Sequence, residues 1–343
     1  MASISKTPSG TYAVSYRVNG KQFKRTFKDR QSAIRFRDMA DLSPDVRAMK
    51  VTVKTLLGAY RDEKTVHKRG ARSEGLRLAA LARRPFAEVR LDKLTRQDLQ
   101  AFVDERTKEV APASVIREIT TLSAVFSWAK EKNLIPESPT KGLHLPKAPE
   151  HRERVASDED IEKLLEACKW DGKTPPKVRT QTVIAAFLFS CYTGMRAGEI
   201  LQIEDSWIDG CIIHLPAAIT KTASKRDVAL GQEARRILNL VREANGNELF
   251  RMPPEMRDAL FRKVRDRAGL GPVLDSHGNV IKEGLHFHDG RATFATWAAS
   301  PDPETGAPRL DVMALARQTG HKDLKMLMRY YRATAEEIAK RLK

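Results

Sequence analysis

Residues 182–203 read TVIAAFLFSCYTGMRAGEILQI. The first twelve positions are apolar or small on every side, the pattern of a helix buried all round rather than along one stripe. Gly194 breaks that run with a tight turn, and a second short helix follows. Arg196 stands directly after the turn. An arginine in so apolar a setting needs an anionic partner, and Glu199, one helical turn on, can orient it. The expectation is a mostly helical domain built around the buried helix, with an arginine presented at its end.

Three further segments lie outward from this one. In CIIHL (211–215) and KRDVAL (225–230) two strands flank a turn around ITKTAS (219–224), which places Lys221 where it can reach into a groove. In LHFHDGRATFATWAA (285–299) His288 and Arg291 are spaced i, i+3 and share a face if a helix begins there, as Phe294, Trp297 and Ala298 suggest. In GHKDLKMLMRYYR (320–332) His321 follows Gly320 at an expected helix start, and Tyr330 and Tyr331 stand side by side. Upstream, SDEDIEKLLEAC (157–168) opens the domain, with Ser157 and Asp160 as a capping box and Ile161, Leu164, Leu165 and Cys168 as the apolar stripe.

Two arginines, two histidines and a lysine are cationic or hydrogen-bond-donating, and the tyrosine is a potential nucleophile. Such a set suits a phosphodiester under attack, whose transition state carries extra negative charge on its non-bridging oxygens. Tyrosine, with a reference pKa of about 10, attacks well only if its proton is taken as it does so. The departing sugar oxygen needs a proton, which a lysine can supply. His286 and His288 form an H-x-H pair with His321 as a conceivable third ligand, yet no acidic cluster accompanies them to hold two metals. Neither a metal nor a cofactor is expected. From the residues alone, either tyrosine could be the nucleophile.

Composition points the same way. The chain has 343 residues, 61 Lys plus Arg against 44 Asp plus Glu, a net charge of +17 and no long apolar run. The excess is spread out: +7 in residues 1–50, +6 in 51–150 and +4 in 151–343. A polyanionic partner is expected, nucleic acid ahead of membrane. Cys168, Cys191 and Cys211 lack paired spacing and read as buried free thiols. The start MASISKTPSG carries no signal-peptide run, so a cytoplasmic, nucleoid-associated protein is expected.

Length predicts more than one domain. Residues 1–45 read as a small sheet-plus-helix module. TYAVSYRV (11–18) alternates Tyr12, Val14, Tyr16 and Val18 onto one face, Asn19-Gly20 signals a hairpin, and KQFKRTF (21–27) returns. SISK (3–6) can add a third strand and DRQSAIRFRDMADL (29–42) a helix. Tyr12, Tyr16, Lys21, Lys24 and Arg25 are candidate DNA contacts on that sheet. After LSPD (42–45), residues 51–145 read as an all-helical bundle. Thr95 is a cap, Pro112 occupies a first helical turn, and Val115, Ile119, Leu122, Phe126 and Ala129 form one stripe. The proline-rich 135–154 reads as a connector to a third domain, 151–343. The class is mainly α and multidomain, with a small sheet in the first and last parts.

TGMRAGEI, TKTASKRDVAL, HFHDGRATFAT and TGHKDLKMLMRYYR resemble, in order, the four signature boxes of the tyrosine recombinases, the phage-integrase family. The resemblance covers 151–343 and extends more weakly to FSWAKEKNLIPESPTKGL (126–143), which is similar to the end of that family's core-binding domain. The first module is similar to the arm-binding domain of mobile-element integrases. The resemblance implies that Arg196, Lys221, His288, Arg291 and His321 are catalytic, with Glu199 supporting. The family spacing from the histidine of the last box selects Tyr330 as nucleophile. It implies a 3′-phosphotyrosine intermediate on double-stranded attachment-site DNA, a homotetramer on paired sites, DNA-bending accessory proteins, and neither metal nor ATP. Gly290, where the family commonly has leucine, and the long SPDPETGAPRL (300–310) depart from its pattern; a looser helix start is expected at the glycine. The alternatives are a chromosome-resolvase type without arm recognition, a type IB-like topoisomerase, and a DNA-binding regulator without catalysis.

Overall fold

The structure, a computed structural model, describes residues 3–18, 21–40, 51–148, 154–221, 223–277 and 280–331, save the side chains of residues 17, 18, 21, 23 and 38–40. The expected Asn19-Gly20 turn, the LSPD segment, residues 149–153 of the connector, the Lys21 side chain and the segment 334–343 lie outside the described residues. The chain forms two compact units, 1–151 and 152–343.

The first unit opens with an antiparallel sheet of order β1-β2-β3, made of Ser3–Lys6, Tyr12–Val18 and Lys21–Phe27. Helix α1 (Arg30–Ala40) covers one face, its first turn closed by Asp29, which accepts the Ser32 amide at 2.8 Å. Register decides what that face contains. Val14 pairs with Ile4 and Arg25, and Tyr12 with Phe27. Because directly opposed residues share a face, these side chains all meet α1. Val14 and Ala33 are buried, with Ile4, Tyr12, Tyr16, Phe27 and Phe36 packed around them.

The bundle that follows holds α2 (Val53–Glu63), α3 (Ala71–Leu81), α4 (Arg96–Glu109) and α5 (Pro112–Glu131). Thr95 caps α4 in a reciprocal box with Asp98, and Pro112 occupies the first turn of α5. Val115, Ile119, Leu122, Phe126 and Ala129 are all buried, so the stripe read from the sequence is the core of this bundle. The small sheet module is tied to the bundle by two ion pairs, Arg25–Glu63 at 3.2 Å and Arg35–Asp62 at 2.7 Å.

The second unit begins with α6 (Asp158–Ala167), capped by Ser157 and Asp160 as expected. Helix α7 (Arg179–Thr193) is its central rod, buried on every side along most of its length. Gly194 ends it at φ +68°, and a Cβ there would come within 2.5 Å of Phe294, so only glycine fits. A single turn, α8 (Ala197–Ile200), leads to a sheet of order β4-β5-β6: Ile208–Asp209, Ile212–Leu215 and Arg226–Ala229. Then come α9 (Gln232–Asn245), α10 (Pro254–Arg267), the hairpin β7 (Val273–Leu274) and β8 (Val280–Lys282), α11 (Asp289–Ala299), α12 (Val312–Thr319) and α13 (Lys325–Met328). The β7–β8 hairpin was not expected from the sequence. Phe187, Phe189, Phe250, Phe261 and Phe287 knit α7, α10 and the approach to α11 into one core.

Three expectations need correction. Gly320 does not start a helix: at φ +69° it closes α12, and His321 follows the helix end. Gly290 does not loosen α11. A Cβ there would lie 3.1 Å from Cys191 Sγ and from the Phe187 carbonyl, so the missing side chain lets α11 lie directly on α7. Cys168 and Cys191 are buried, but Cys211 is exposed. Among the described residues no helix is long and apolar enough to cross a membrane.

Candidate active site

Arg196 leaves the α7 turn as the residue before α8, and Glu199 sits within that single turn. The Glu199 carboxylate is buried, 2 % exposed, and accepts four hydrogen bonds. Oε1 accepts from Arg196 Nη1 (3.1 Å) and Arg226 Nη1 (3.2 Å). Oε2 accepts from the Arg196 amide (2.9 Å) and Arg226 Nη2 (2.9 Å). Burial pushes this carboxyl up, but the Arg226 charge, the Arg196 amide and the Arg196 charge outweigh it and hold it below the usual range. Arg196 Nη2 donates to the Gly320 carbonyl at 3.1 Å, tying this corner to the end of α12.

Arg291 is buried on the first turn of α11. Its Nη1 donates to the Gly194 carbonyl at 2.6 Å, so the turn that ends α7 also seats the second arginine. Burial, with Arg196 and Arg226 beside it, pushes the Arg291 guanidinium down to about 9, still charged at neutral pH. Its Nη2 lies 3.2 Å from His321 Nε2.

The hydrogen-bond network assigns the His321 tautomer. Thr319 Oγ1 donates its one proton to the Leu315 carbonyl (2.6 Å) and lies 2.7 Å from His321 Nδ1. The hydroxyl therefore accepts from Nδ1–H, which leaves the Nε2 lone pair facing Arg291. Burial and the charges of Arg291 and Arg196 push His321 down to about 4, so the ring is neutral at pH 7. His288, the residue before α11, is also pushed down, by burial and then by Arg291, with Arg196 and Lys221 adding to the effect. Lys221 lies exposed in the β5–β6 turn, near enough for its charge to register at His288.

The two tyrosines part company here. Tyr331 donates its hydroxyl to the Leu310 carbonyl at 2.8 Å, and burial pushes its phenol up to about 12. Tyr330 is half-buried, its hydroxyl within electrostatic reach of Arg291. All six residues proposed from the sequence as catalytic, together with Glu199, thus belong to one neighbourhood of the second unit.

One member was missed. Arg226 on β6 is 8 % exposed and binds Glu199 through both of its terminal nitrogens. Its signal was strand alternation: Arg226 shares the inward face of β6 with buried Val228, and a charge at an inward strand position must have a partner. The cluster thus sets two guanidiniums on one shared carboxylate, with the third, Arg291, close enough for their charges to register. The neighbouring carboxylate of Asp289 accepts the His286 amide at 2.8 Å. Such an arrangement holds surplus positive charge in partly desolvated surroundings, where an anion is stabilised strongly.

A family model, that of the phage integrase family, matches residues 154–337. The chain belongs to this family, the tyrosine recombinases. The recombinase is 35 % identical over 290 residues to a putative integrase/recombinase of Haemophilus influenzae, spanning 82 % of this chain and 73 % of that protein. It is 27 % identical to the shufflon-specific DNA recombinase of Escherichia coli, over 87 % of this chain and 73 % of that one. In fold it is similar to a lambda integrase dimer bound to a core site, with a TM-score of 0.64 at 19 % identity over 96 % of this chain and 94 % of that one. The Tn1549 transposon integrase on a circular-intermediate DNA gives 0.66 at 16 % identity over 85 % and 99 %. The recombinase is a site-specific DNA recombinase by family.

The candidate contacts in the first unit are distributed differently from the reading that put tyrosine and lysine on one DNA-facing surface. Tyr12 and Tyr16 turn toward α1, where Tyr16 meets Phe36 edge-on at 5.1 Å. Arg25 pairs with Glu63 and lies over the Phe27 and Phe36 rings. Lys24, opposite Ser15, lies on the other, open face of the sheet.

Proposed function

We propose that this recombinase cuts and rejoins double-stranded DNA with Tyr330 as nucleophile. The observation that carries the reading is the division of labour between the twin phenols. The Tyr331 hydroxyl is spent on Leu310, whereas the Tyr330 hydroxyl lies within electrostatic reach of Arg291. Tyr330 Oη attacks the scissile phosphorus as its proton leaves to neutral His288. The P–O5′ bond breaks, and Lys221 protonates the departing 5′-oxygen. Arg196 and Arg291 hold the non-bridging oxygens, and the arriving phosphate charge raises the proton affinity of His321 so that Nε2 can donate as well. The phosphotyrosine conserves the energy of the broken bond, so resealing by a 5′-hydroxyl needs no ATP, and no metal takes part.

By analogy with its relatives, the protein assembles as a homotetramer on paired attachment sites. Residues 51–145 form the core-binding part and 151–343 the catalytic part. Residues 1–45 act as an arm-type module reaching DNA through the open sheet face that holds Lys24, with bending proteins assisting and with action at the nucleoid. That module favours an integrase of a phage or mobile element over a resolvase.

The test is a nicked suicide duplex carrying the cognate site. Wild type and Tyr331→Phe should form a covalent adduct, and Tyr330→Phe should bind the same duplex without forming one. An adduct with Tyr330→Phe, or none with wild type despite tight binding, overturns the reading; the second result makes the protein a regulator. Recombination by Lys24→Glu at wild-type efficiency would argue for the resolvase type.

A further inference from the structure

We infer that Arg226 is a positioning residue for strand cleavage: by filling half of the Glu199 carboxylate it leaves Arg196 free to face the scissile phosphate. The inference rests on the reading of the site given above. A carboxylate offers about four acceptor positions, and all four of Glu199 are taken: one by the Arg196 amide, one by Arg196 Nη1 and two by the Arg226 fork. Arg196 therefore makes one side-chain bond to Glu199 rather than the closed two-point pair that arginine and carboxylate prefer. Remove Arg226, and two acceptor positions open beside Arg196. The guanidinium can then swing into a bidentate pair with Glu199, and donors that would face the phosphate turn inward.

Arg226 itself is not a phosphate ligand. Its side chain is nearly enclosed, its two terminal nitrogens are occupied by Glu199 and by the Thr319 carbonyl (3.2 Å), and its Nε is buried without a partner. The Thr319 contact adds a second task. Thr319 carries the hydroxyl that sets the His321 tautomer, so the guanidinium joins the Glu199 turn to the backbone that presents the histidine. Gly320 is shaped for this: a Cβ there would lie 2.2 Å from Arg226 Nη1. Strand β6, which follows the Lys221 turn, is held to the same corner by Gln318. Its amide nitrogen donates to the Thr193 and Ala229 carbonyls and its oxygen accepts the Ala229 amide, each at 3.0 Å.

The experiment uses the full chain and a nicked duplex bearing the cleavage site mapped with wild type. Adduct formation is timed at saturating duplex, and duplex affinity and thermal midpoint are measured beside it. Arg226→Met, and Arg226→Lys, whose compact ammonium cannot reproduce the fork, should each slow adduct formation roughly 10- to 100-fold, the cost of a misplaced group. Affinity should stay within about threefold, since uniform binding is untouched. In a Glu199→Gln background Arg226→Met should cost no more than about a further threefold, because a residue that acts through Glu199 has little left to lose. Arg226→Lys, the milder change, keeps the test alive if Arg226→Met does not fold. Wild-type rates in the folded variants, or full multiplication of the two losses in the double variant, would overturn the inference. An inactive wild type would instead bring down the reading beneath it.

Discussion

In residues 51–148 a half-buried charge is met in full: Arg106 donates to Glu118 at 2.9 Å and also pairs with Glu109. Glu63 in the same unit gathers Arg25, Lys132 and the Trp128 indole N–H. At the site in residues 154–331 the ratio reverses: Arg196 and Arg226 share Glu199, and Arg291 stands beside them without bonding it. Matched charges fix one arrangement of helices and ask for nothing further. A surplus of desolvated cations costs stability, and a fold that retains one has a place prepared for an anion.

The contrast can be broken most sharply at the arginines. Arg291→Ala should slow adduct formation about 1,000-fold, the upper range for one preorganised donor to transition-state charge. Loss of less than about tenfold would mean that the surplus is not aimed at the reacting phosphate. Arg106→Ala should do the opposite. It leaves Glu118 poorly paired and lowers the unfolding free energy by about 1–3 kcal/mol, while adduct formation stays within about threefold. Chemical denaturation and the suicide duplex read the two outcomes side by side.

Acid should separate the units as well. His321 takes its proton at about 4 in the folded chain against 6.5 ordinarily, so the unfolded chain protonates first as pH falls. Stability from this residue is therefore complete above about 6.5 and drains away between 6.5 and 4. His288 shifts in the same direction. Burial pushes Glu63 up, but Lys132 and Arg25 outweigh it and hold it low, so its contribution survives until the carboxylate range. Hydrogen exchange at pH 7 and pH 5 should show protection falling in the second unit by about 1–2 kcal/mol and holding in the first. His321→Phe should flatten that fall, and equal losses in both units would count against the contrast. The smallest effect is that of a stand-in anion. Sulfate at about ten times its Kd should stabilise the second unit by about 1.4 kcal/mol. Chloride at equal ionic strength should not, and Arg291→Ala should abolish the difference.

Much of this was legible in the chain. The buried run before Gly194, the capping pairs at Ser157 and Thr95 and the α5 stripe all came from periodicity and local chemistry, which need only neighbours a turn away. The resemblance to the signature boxes named Arg196, Lys221, His288, Arg291, His321 and Tyr330, whereas the chemistry of the residues by itself left two tyrosines open. The β7–β8 hairpin escaped because two strands so short offer too few positions for alternation to declare itself. The tyrosines of the first module were rightly placed on one face, yet which face met α1 depended on a helix that alternation cannot locate.

The order of residues determined by itself the mainly helical architecture, the positions of the turns and the chemical kinds gathered for the reaction, because each follows from contacts within a few residues. Tertiary structure alone decided that Tyr331 is tied to Leu310, that Gly290 draws α11 onto α7 and that Arg226 completes the shell of Glu199. Those contacts join positions 21, 27 and about 100 residues apart. Only the closure of the chain around its core sets the distances across such gaps, and hydrogen bonds answer to distance.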